Sequence, residues 1–243
     1  MLESILLTAT RVLTFAGQRP LTNASGFFFE RDGKLFLVTS RHVVFDEPSK
    51  HFPDRIEIEL HNDAENLSAS TYFSILLYRH GKAAWRQGSD SAGEIDVAAI
   101  ELDRFALPKS AIFNAFSPGH IYGPHEEVEI GSSLLVVGFP LGFHDTLHHM
   151  PVVRHAALAS SFGLRFQGEG YFLTDARTHS GTSGAPVVIK HSRLDKVDNG
   201  LPWKLLGVHS ARLDVGTRNI KIDEALGLNC AWYADILMTL TRT

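Results

Sequence analysis

Short apolar runs separated by glycine, proline, asparagine and aspartate dominate the chain. Gly26–Glu30 and Lys34–Thr39 are two such runs, and Arg31-Asp32-Gly33 lies between them. Two strand-like runs joined by a glycine-containing turn are typical of a β-hairpin. The same pattern predicts further strands over Arg55–Leu60, Thr71–Tyr78, Val97–Leu102, Ser133–Phe139, Gly170–Thr174, Pro186–Lys190 and Lys204–Ser210. Many short strands at this spacing predict an all-β sandwich or barrel.

The end of the chain shows a helical period instead. Cys230, Tyr233, Ala234, Leu237 and Met238 fall at positions i, i+3, i+4, i+7 and i+8, which lie on one face of a helix. We therefore expect a helix from about Cys230 to Leu240. Packing against the last strands is a better explanation of its apolar face than the binding of a partner.

Composition narrows the function classes. The 243 residues fit one large domain or two small lobes. The net charge is -4 and the lysines and arginines are scattered, so the sequence has no basic run that would bind nucleic acid or lipid. Cys230 is the one cysteine, so no intramolecular disulfide can form, which suits a reducing compartment. The N-terminus has an early acid, no basic flank and no long apolar run, so we expect no secretory signal and no membrane span. These features predict a cytoplasmic protein, with export of a longer precursor left open.

Three segments carry residues suited to chemistry. His42 follows a predicted buried strand, where a general base can be held in one orientation. Asp96 directly precedes the apolar run Val97–Leu102, where one carboxylate oxygen can accept a hydrogen bond from an imidazole. Ser183 lies in a glycine-rich loop that leads into a strand, with Gly181 two residues before it. The backbone amides of Gly181 and Ser183 can point into one small cavity and form an oxyanion hole.

Together these segments resemble the trypsin-like (chymotrypsin-fold) serine peptidases, most closely the disulfide-free bacterial branch that includes the HtrA/Deg proteins. The order His42, Asp96, Ser183 agrees with that superfamily. The resemblance implies two six-stranded antiparallel β-barrels with a C-terminal helix, in one peptidase domain over 1–243. We expect the N-terminal lobe at 1–116 and the C-terminal lobe at 127–243. It also implies a serine endopeptidase that acts on protein or peptide substrates without a cofactor.

Departures from the family pattern limit what carries over. No Ile-Val-Gly-Gly-type activation site is present, and Thr182 stands where activated zymogens carry an acid. Activation by N-terminal cleavage is therefore not expected. We expect no PDZ module after the C-terminal helix, so the trimeric or hexameric behaviour of HtrA proteins does not carry over. The oligomeric state and the need for a regulatory protein partner stay open.

The segment Leu205–Ala211 resembles the strand that lines the primary specificity pocket in this superfamily. In glutamyl endopeptidases and picornaviral cysteine proteases, a Gly-x-His here acts with a Thr five residues before the nucleophile. His209 and Thr178 match that pattern, so the resemblance implies a preference for Glu or Gln before the scissile bond, with a small apolar residue as the main rival. Arg177, Ser210 and Ala211 complete the expected substrate-binding set.

Two alternatives to the peptidase stay open, and one group of side chains suggests a metal site. The same fold could serve as a silent peptide-binding scaffold, or the same three residues could act in an esterase. His144 and His148 are four apart, with Asp145 and His149 beside them, a spacing that is known from zinc sites. The stretch follows Pro140-Leu141-Gly142 and has the character of a loop, so a rim loop is favoured and no metal is predicted.

Overall fold

The computed structural model describes residues 3–122, 127–190, 200–210 and 227–242. Strands dominate these residues, as the alternating pattern predicts, and the all-β class is confirmed. The strands before residue 103 are β1 Ala9–Ala16, β2 Arg19–Arg31, β3 Lys34–Thr39, β4 Arg55–His61, β5 Ser70–Leu76, β6 Tyr78–Arg79, β7 Lys82–Ala83, β8 Trp85–Asp90 and β9 Gly93–Leu102. Those after residue 132 are β10 Ser133–Gly138, β11 Val152–Leu158, β12 Tyr171–Asp175, β13 Pro186–Lys190, β14 Trp203–Ser210 and β15 Leu228–Tyr233.

The first group forms one seven-stranded antiparallel sheet, in the order β5-β4-β1-β2-β3-β9-β8, while β6 and β7 pair separately. The predicted hairpin is β2–β3, paired from Phe27↔Val38 to Arg31↔Lys34. Asp32 and Gly33 both have positive φ, +51° and +76°, as the two central residues of a type I′ turn require. The sheet in the described residues thus has seven strands where we expected six, and β6 and β7 are additional to it.

The second group closes into a six-stranded barrel, in the order β10-β11-β12-β15-β14-β13. Its interior contains small and apolar side chains from both the early and the late strands, including Val136, Ala156, Phe172, Val187 and Leu206. A further apolar cluster joins the sheet to the barrel, with Phe27 and Val97 from the sheet and Val208 and Trp232 from the barrel. The two halves of the chain therefore share a core.

The predicted helix from Cys230 is wrong in its first part. Cys230 to Tyr233 belong to β15, which pairs with β12 on one side and β14 on the other. A closed barrel satisfies the backbone of every strand from its neighbours, and that pairing outweighs an apolar spacing over a short run. The 3₁₀ turn Ala234–Ile236 and the single helical turn Leu237–Leu240 follow.

Helical structure is otherwise short. The turn Arg41–Val44 follows β3, and 3₁₀ turns cover Ser4–Thr8, Pro118–His120, Pro140–Gly142 and Phe166–Gly168. Within the residues that the structure describes, no helix has the length and apolar character that a membrane span needs.

Candidate active site

His42 and Asp96 are brought together by the pairing of their strands. β3 ends at Thr39, which pairs with Ala98 of β9, and His42 lies in the helical turn that follows β3. Asp96, two residues before Ala98, faces that turn. Its Oδ2 lies 2.7 Å from His42 Nδ1, and its Oδ1 accepts a 2.8 Å hydrogen bond from the His42 backbone N–H. The carboxylate therefore holds both the ring and the backbone of the histidine.

Asp96 remains ionised in spite of its surroundings. Burial raises the pKa of its carboxyl, but the His42 imidazole and the hydrogen bonds from His42 and Ser210 outweigh burial and hold the pKa below the usual range. Ser210 Oγ donates to Asp96 Oδ2 at 2.7 Å. Because a negative charge beside Nδ1 favours the tautomer with its proton there, Nε2 is left to accept a proton.

Ser183 lies in the loop between β12 and β13, close to His42 in space. Gly184, the next residue, packs its Cα against the backbone of Ser40, two residues before His42. The carbonyl of His209 accepts hydrogen bonds from Gly184 N–H at 2.8 Å and from Ser40 Oγ at 3.2 Å, and so ties the two segments together. Across the described residues, no hydrogen bond joins Ser183 Oγ to the His42 ring. Such contacts often tighten only when substrate binds.

The amides of Gly181 and Ser183 donate to no acceptor among the described residues. The peptide between Ser180 and Gly181 is oriented by Leu141, whose N–H donates a 2.6 Å hydrogen bond to the Ser180 carbonyl. In a trans peptide the N–H points opposite to the C=O, so the Gly181 N–H points away from Leu141. Two unpaired amides on one tight loop are what an oxyanion hole requires.

Ser25 holds the other side of Gly181, and the sequence did not assign it this role. Its Oγ donates to the Gly181 carbonyl at 2.8 Å and accepts from the Phe139 N–H at 2.9 Å. Its own N–H donates to the Ser183 carbonyl. Ser25 directly precedes the predicted strand Gly26–Glu30, and nothing in that pattern pointed to these hydrogen bonds.

His209 is fully buried on β14, and neither of its ring nitrogens has a hydrogen-bond partner among the described residues. Burial lowers the pKa of His209 to about 4, with a smaller contribution from the nearby His42. The ring is therefore neutral at physiological pH, and one nitrogen carries a proton while the other can accept one.

The other residues of the predicted substrate-binding set lie in separate environments. Thr178 Oγ1 donates to Asn229 Oδ1 at 2.5 Å, and no hydrogen bond joins it to His209 among the described residues. Asn229 in turn donates to the Ala176 carbonyl, so it fixes the segment from Ala176 to Thr178. The sequence gave no sign of this role. Arg177 is exposed, and its carbonyl accepts from Arg154. Ser210 binds Asp96, and Ala211 lies outside the described residues.

A cleft of about 280 Å³ opens beside the histidine. It is lined by Arg41, His42, Ala92, Glu94, Asp96, Glu169, Tyr171 and Trp232. Arg41 and Glu94 form an ion pair of 2.8 Å at its rim. Tyr171 and Trp232 give the cleft an aromatic wall, and Glu169 adds an acidic residue to its lining.

Solved structures of peptidases share this architecture. The serine endoprotease from Yersinia pestis superposes with a TM-score of 0.55 at 17% identity, over 97% of this chain and 62% of the other. The inactive form of the Rv3671c protease, from M. tuberculosis H37Rv, superposes with a TM-score of 0.50 at 14% identity, over 97% of this chain and 88% of the other. The chain thus spans about 62% of the length of the Yersinia structure. At these identities the likeness shows a shared fold.

The sequence itself shows the family. No curated protein matches the chain. A family model described as "Trypsin-like peptidase domain" matches residues 24–194, which include His42, Asp96 and Ser183. The match covers more than half of the chain, and the six-stranded barrel and the Asp96–His42 pair agree with it. The chain belongs to the family of trypsin-like peptidase domains.

Proposed function

We propose that the protein is a serine endopeptidase that hydrolyses peptide bonds through an acyl-enzyme. The observation that carries the proposal is the double contact of Asp96 with His42, which fixes the ring beside the Ser183 loop. Ser183 Oγ attacks the scissile carbonyl, and His42 Nε2 takes its proton and returns it to the leaving amine. Asp96 orients the ring and stabilises the imidazolium.

The oxyanion of the tetrahedral intermediate is bound by the amides of Gly181 and Ser183. Since neither amide has an acceptor within the described structure, neither must break a bond in order to receive the negative charge. This preorganisation favours turnover over the scaffold alternative, because a protein that only binds peptides has no need for two unpaired amides beside a serine.

Labelling with a fluorophosphonate probe tests the nucleophile. Wild type should react at Ser183, and Ser183→Ala should lose both the label and peptide hydrolysis, with a rate loss of about 10⁴-fold or more. Ser180→Ala is the matched control in the same loop and should still be labelled. A wild-type protein that does not react supports the scaffold. A protein that is labelled and cleaves esters but no peptide in a diverse library is an esterase.

We further propose that the primary pocket accepts Glu or Gln, with Gln preferred. A neutral His209 can donate one N–H to the carboxamide oxygen of Gln, whereas a carboxylate gains more from a charged partner. The unpaired ring nitrogens support a substrate group as their missing partner.

Cleavage-site profiling tests this preference. Gln should be enriched directly before the cleaved bond, followed by Glu, and His209→Ala should reduce the enrichment without abolishing the cleavage of other sequences. Equal cleavage after Leu or Ala in wild type contradicts the pocket proposal, and so does an unchanged profile in His209→Ala. Either result leaves the nucleophile test unaffected.

A further inference from the structure

Glu59 of β4 and two histidines of the segment after β10 meet in space. One ligand atom each from Glu59, His144 and His149 lies within 4.8 Å of the other two. The isolated bridge Asp145↔Met150 closes a turn between the histidines and brings their ring centroids to 6.4 Å. We infer that Glu59, His144 and His149 form a binding site for one Zn²⁺ ion. This site is independent of the catalytic assignments.

The contact between His149 and Glu59 has the geometry of two ligands of one ion. His149 Nδ1 lies 2.8 Å from Glu59 Oε1, yet this buried nitrogen makes no hydrogen bond to any residue that the structure describes. The nitrogen therefore does not point directly at the oxygen. Ligands of one tetrahedral zinc, each at about 2.0–2.2 Å from it, lie about 3.3 Å apart and point at the ion instead of at each other. A separation increased by a few tenths of an ångström would therefore admit the metal.

The other two residues are already oriented for the same task. His144 Nδ1 lies 2.6 Å from the Gly142 carbonyl and donates to it, so Nε2 is the nitrogen with an available lone pair. A backbone carbonyl on the second nitrogen is the usual support of a metal-binding histidine. The Glu59 side chain is only 4% exposed, and its Oε2 accepts from Arg11 at 3.0 Å while Ser70 Oγ donates to Oε1. The carboxylate is thus buried and held in place by two neighbours.

The donor set selects the metal. Two imidazoles and one carboxylate suit zinc and its transition-metal neighbours, and three protein ligands leave the fourth position to water. Calcium and magnesium require more oxygen ligands than the site provides. Sequence spacing alone pointed to His144 and His148, but His148 Nδ1 pairs with Asp145 on the exposed side of the turn. The third ligand comes from a strand more than 80 positions earlier in the chain.

A bound ion would connect two parts of the fold. Glu59 belongs to the first sheet, whereas His144 follows the turn in which Leu141 N–H binds the Ser180 carbonyl. Zinc would therefore fasten the segment that orients the Gly181 amide to the sheet.

Metal titration tests the site directly. EDTA-treated wild type should bind one equivalent of Co²⁺ with the visible absorption of a tetrahedral complex, and Zn²⁺ should displace it and raise the Tm. His144→Ala and His149→Ala should each weaken Zn²⁺ binding by roughly 10- to 100-fold or more, in competition with a chromophoric chelator. His148→Ala is the matched control and should bind as wild type does. His144 and His149 are partly exposed, so their replacement by Ala should not prevent folding. The test therefore remains possible if Glu59→Gln, which changes a buried residue, does not fold.

Three results would overturn the inference. The first is the absence of a stoichiometric complex with wild type, and the second is wild-type affinity in both His144→Ala and His149→Ala. The third is the loss of the complex in His42→Ala, which would assign the ion to the catalytic pair.

Discussion

Ser25 Oγ donates a 2.8 Å hydrogen bond to the carbonyl oxygen of Gly181, although the two residues stand 156 positions apart. The same hydroxyl accepts the Phe139 N–H, so one buried side chain from β2 joins the residue after β10 to the Ser183 loop. Together with the Leu141–Ser180 bond, it fixes both peptides that flank Gly181. The orientation of the proposed oxyanion donor thus depends on a residue of the first sheet.

Replacement of Ser25 by Ala should therefore impair catalysis more than binding. Without the hydroxyl, the Gly181 peptide can rotate, and we expect kcat to fall by about 10- to 100-fold, less than for a deleted oxyanion donor. KM should change little because the pocket residues are untouched. The buried Phe139 N–H loses its acceptor, which should cost about 1–3 kcal/mol in free energy of unfolding.

Steady-state kinetics and urea unfolding measure these two effects. Ser74→Ala, on the exposed part of β5, is the control and should change neither. A kcat equal to that of wild type in a stable Ser25→Ala protein would contradict a positioning role.

The sequence predicted the strands better than their closure. Pro186–Lys190 agrees residue for residue with β13, and Arg55–Leu60 lacks only the last residue of β4. These runs are bounded by turn residues and have strong β character, so local pattern and final structure agree. The prediction of a helix from Cys230 was wrong because Cys230, Ala231 and Trp232 are all buried in the strand. A short run that is buried on both faces has no hydrophobic period by which a strand can be told from a helix.

In the candidate site, the sequence named three residues for the proposed triad but not the residues that position them. His42, Asp96 and Ser183 carry chemistry in recognisable local contexts, and the structure brings Asp96 onto His42. Ser25 and Asn229 act through hydrogen bonds to residues far away in the chain, and a serine or asparagine in such a role has no local signature. Contacts of this kind become visible only when the chain is folded.

Ser210 should support Asp96 through its hydroxyl. It donates to Asp96 Oδ2 at 2.7 Å, and its loss in Ser210→Ala removes one of the bonds that keep the pKa of Asp96 low. A hydrogen bond to a charged group contributes about 1.5–3 kcal/mol, so we expect kcat/KM to fall by about 10-fold or more. Cleavage of one peptide over a range of concentrations measures the effect. Full activity in Ser210→Ala would show that His42 alone keeps Asp96 in place.

His209 should make the protein less stable in acid. Its pKa of about 4 in the fold lies below the ordinary value of 6.5, so between these pH values the unfolded chain binds a proton that the folded chain does not. The free energy of unfolding should fall as the pH decreases from 6.5 to 4, with a contribution on the order of 3 kcal/mol from this residue. The contribution of His209 should be constant above pH 6.5.

Urea unfolding of wild type and His209→Leu at several pH values isolates this contribution. The variant should lose less stability between pH 6.5 and 4.5 than wild type does, while His155→Leu, which removes an exposed histidine, should follow the wild-type curve. Parallel curves for wild type and His209→Leu would mean that His209 is protonated, or reached by water, in the folded protein.

Gly184 should tolerate no side chain, although glycines with a similar backbone do. Gly184 has φ of +86°, and a Cβ there would overlap the Ser25 carbonyl and the Thr39 hydroxyl, both buried. Gly33 has φ of +76° with nothing within 4 Å of the same position. Gly33→Ala should therefore lose only the cost of a left-handed alanine, about 1–2 kcal/mol. Gly184→Ala adds a steric overlap that displaces the Ser183 loop. This variant should therefore unfold at a clearly lower urea concentration than Gly33→Ala, and it should lose fluorophosphonate labelling at Ser183. Equal stability of the two variants would mean that the loop does not pack against β2 as closely as the structure places it.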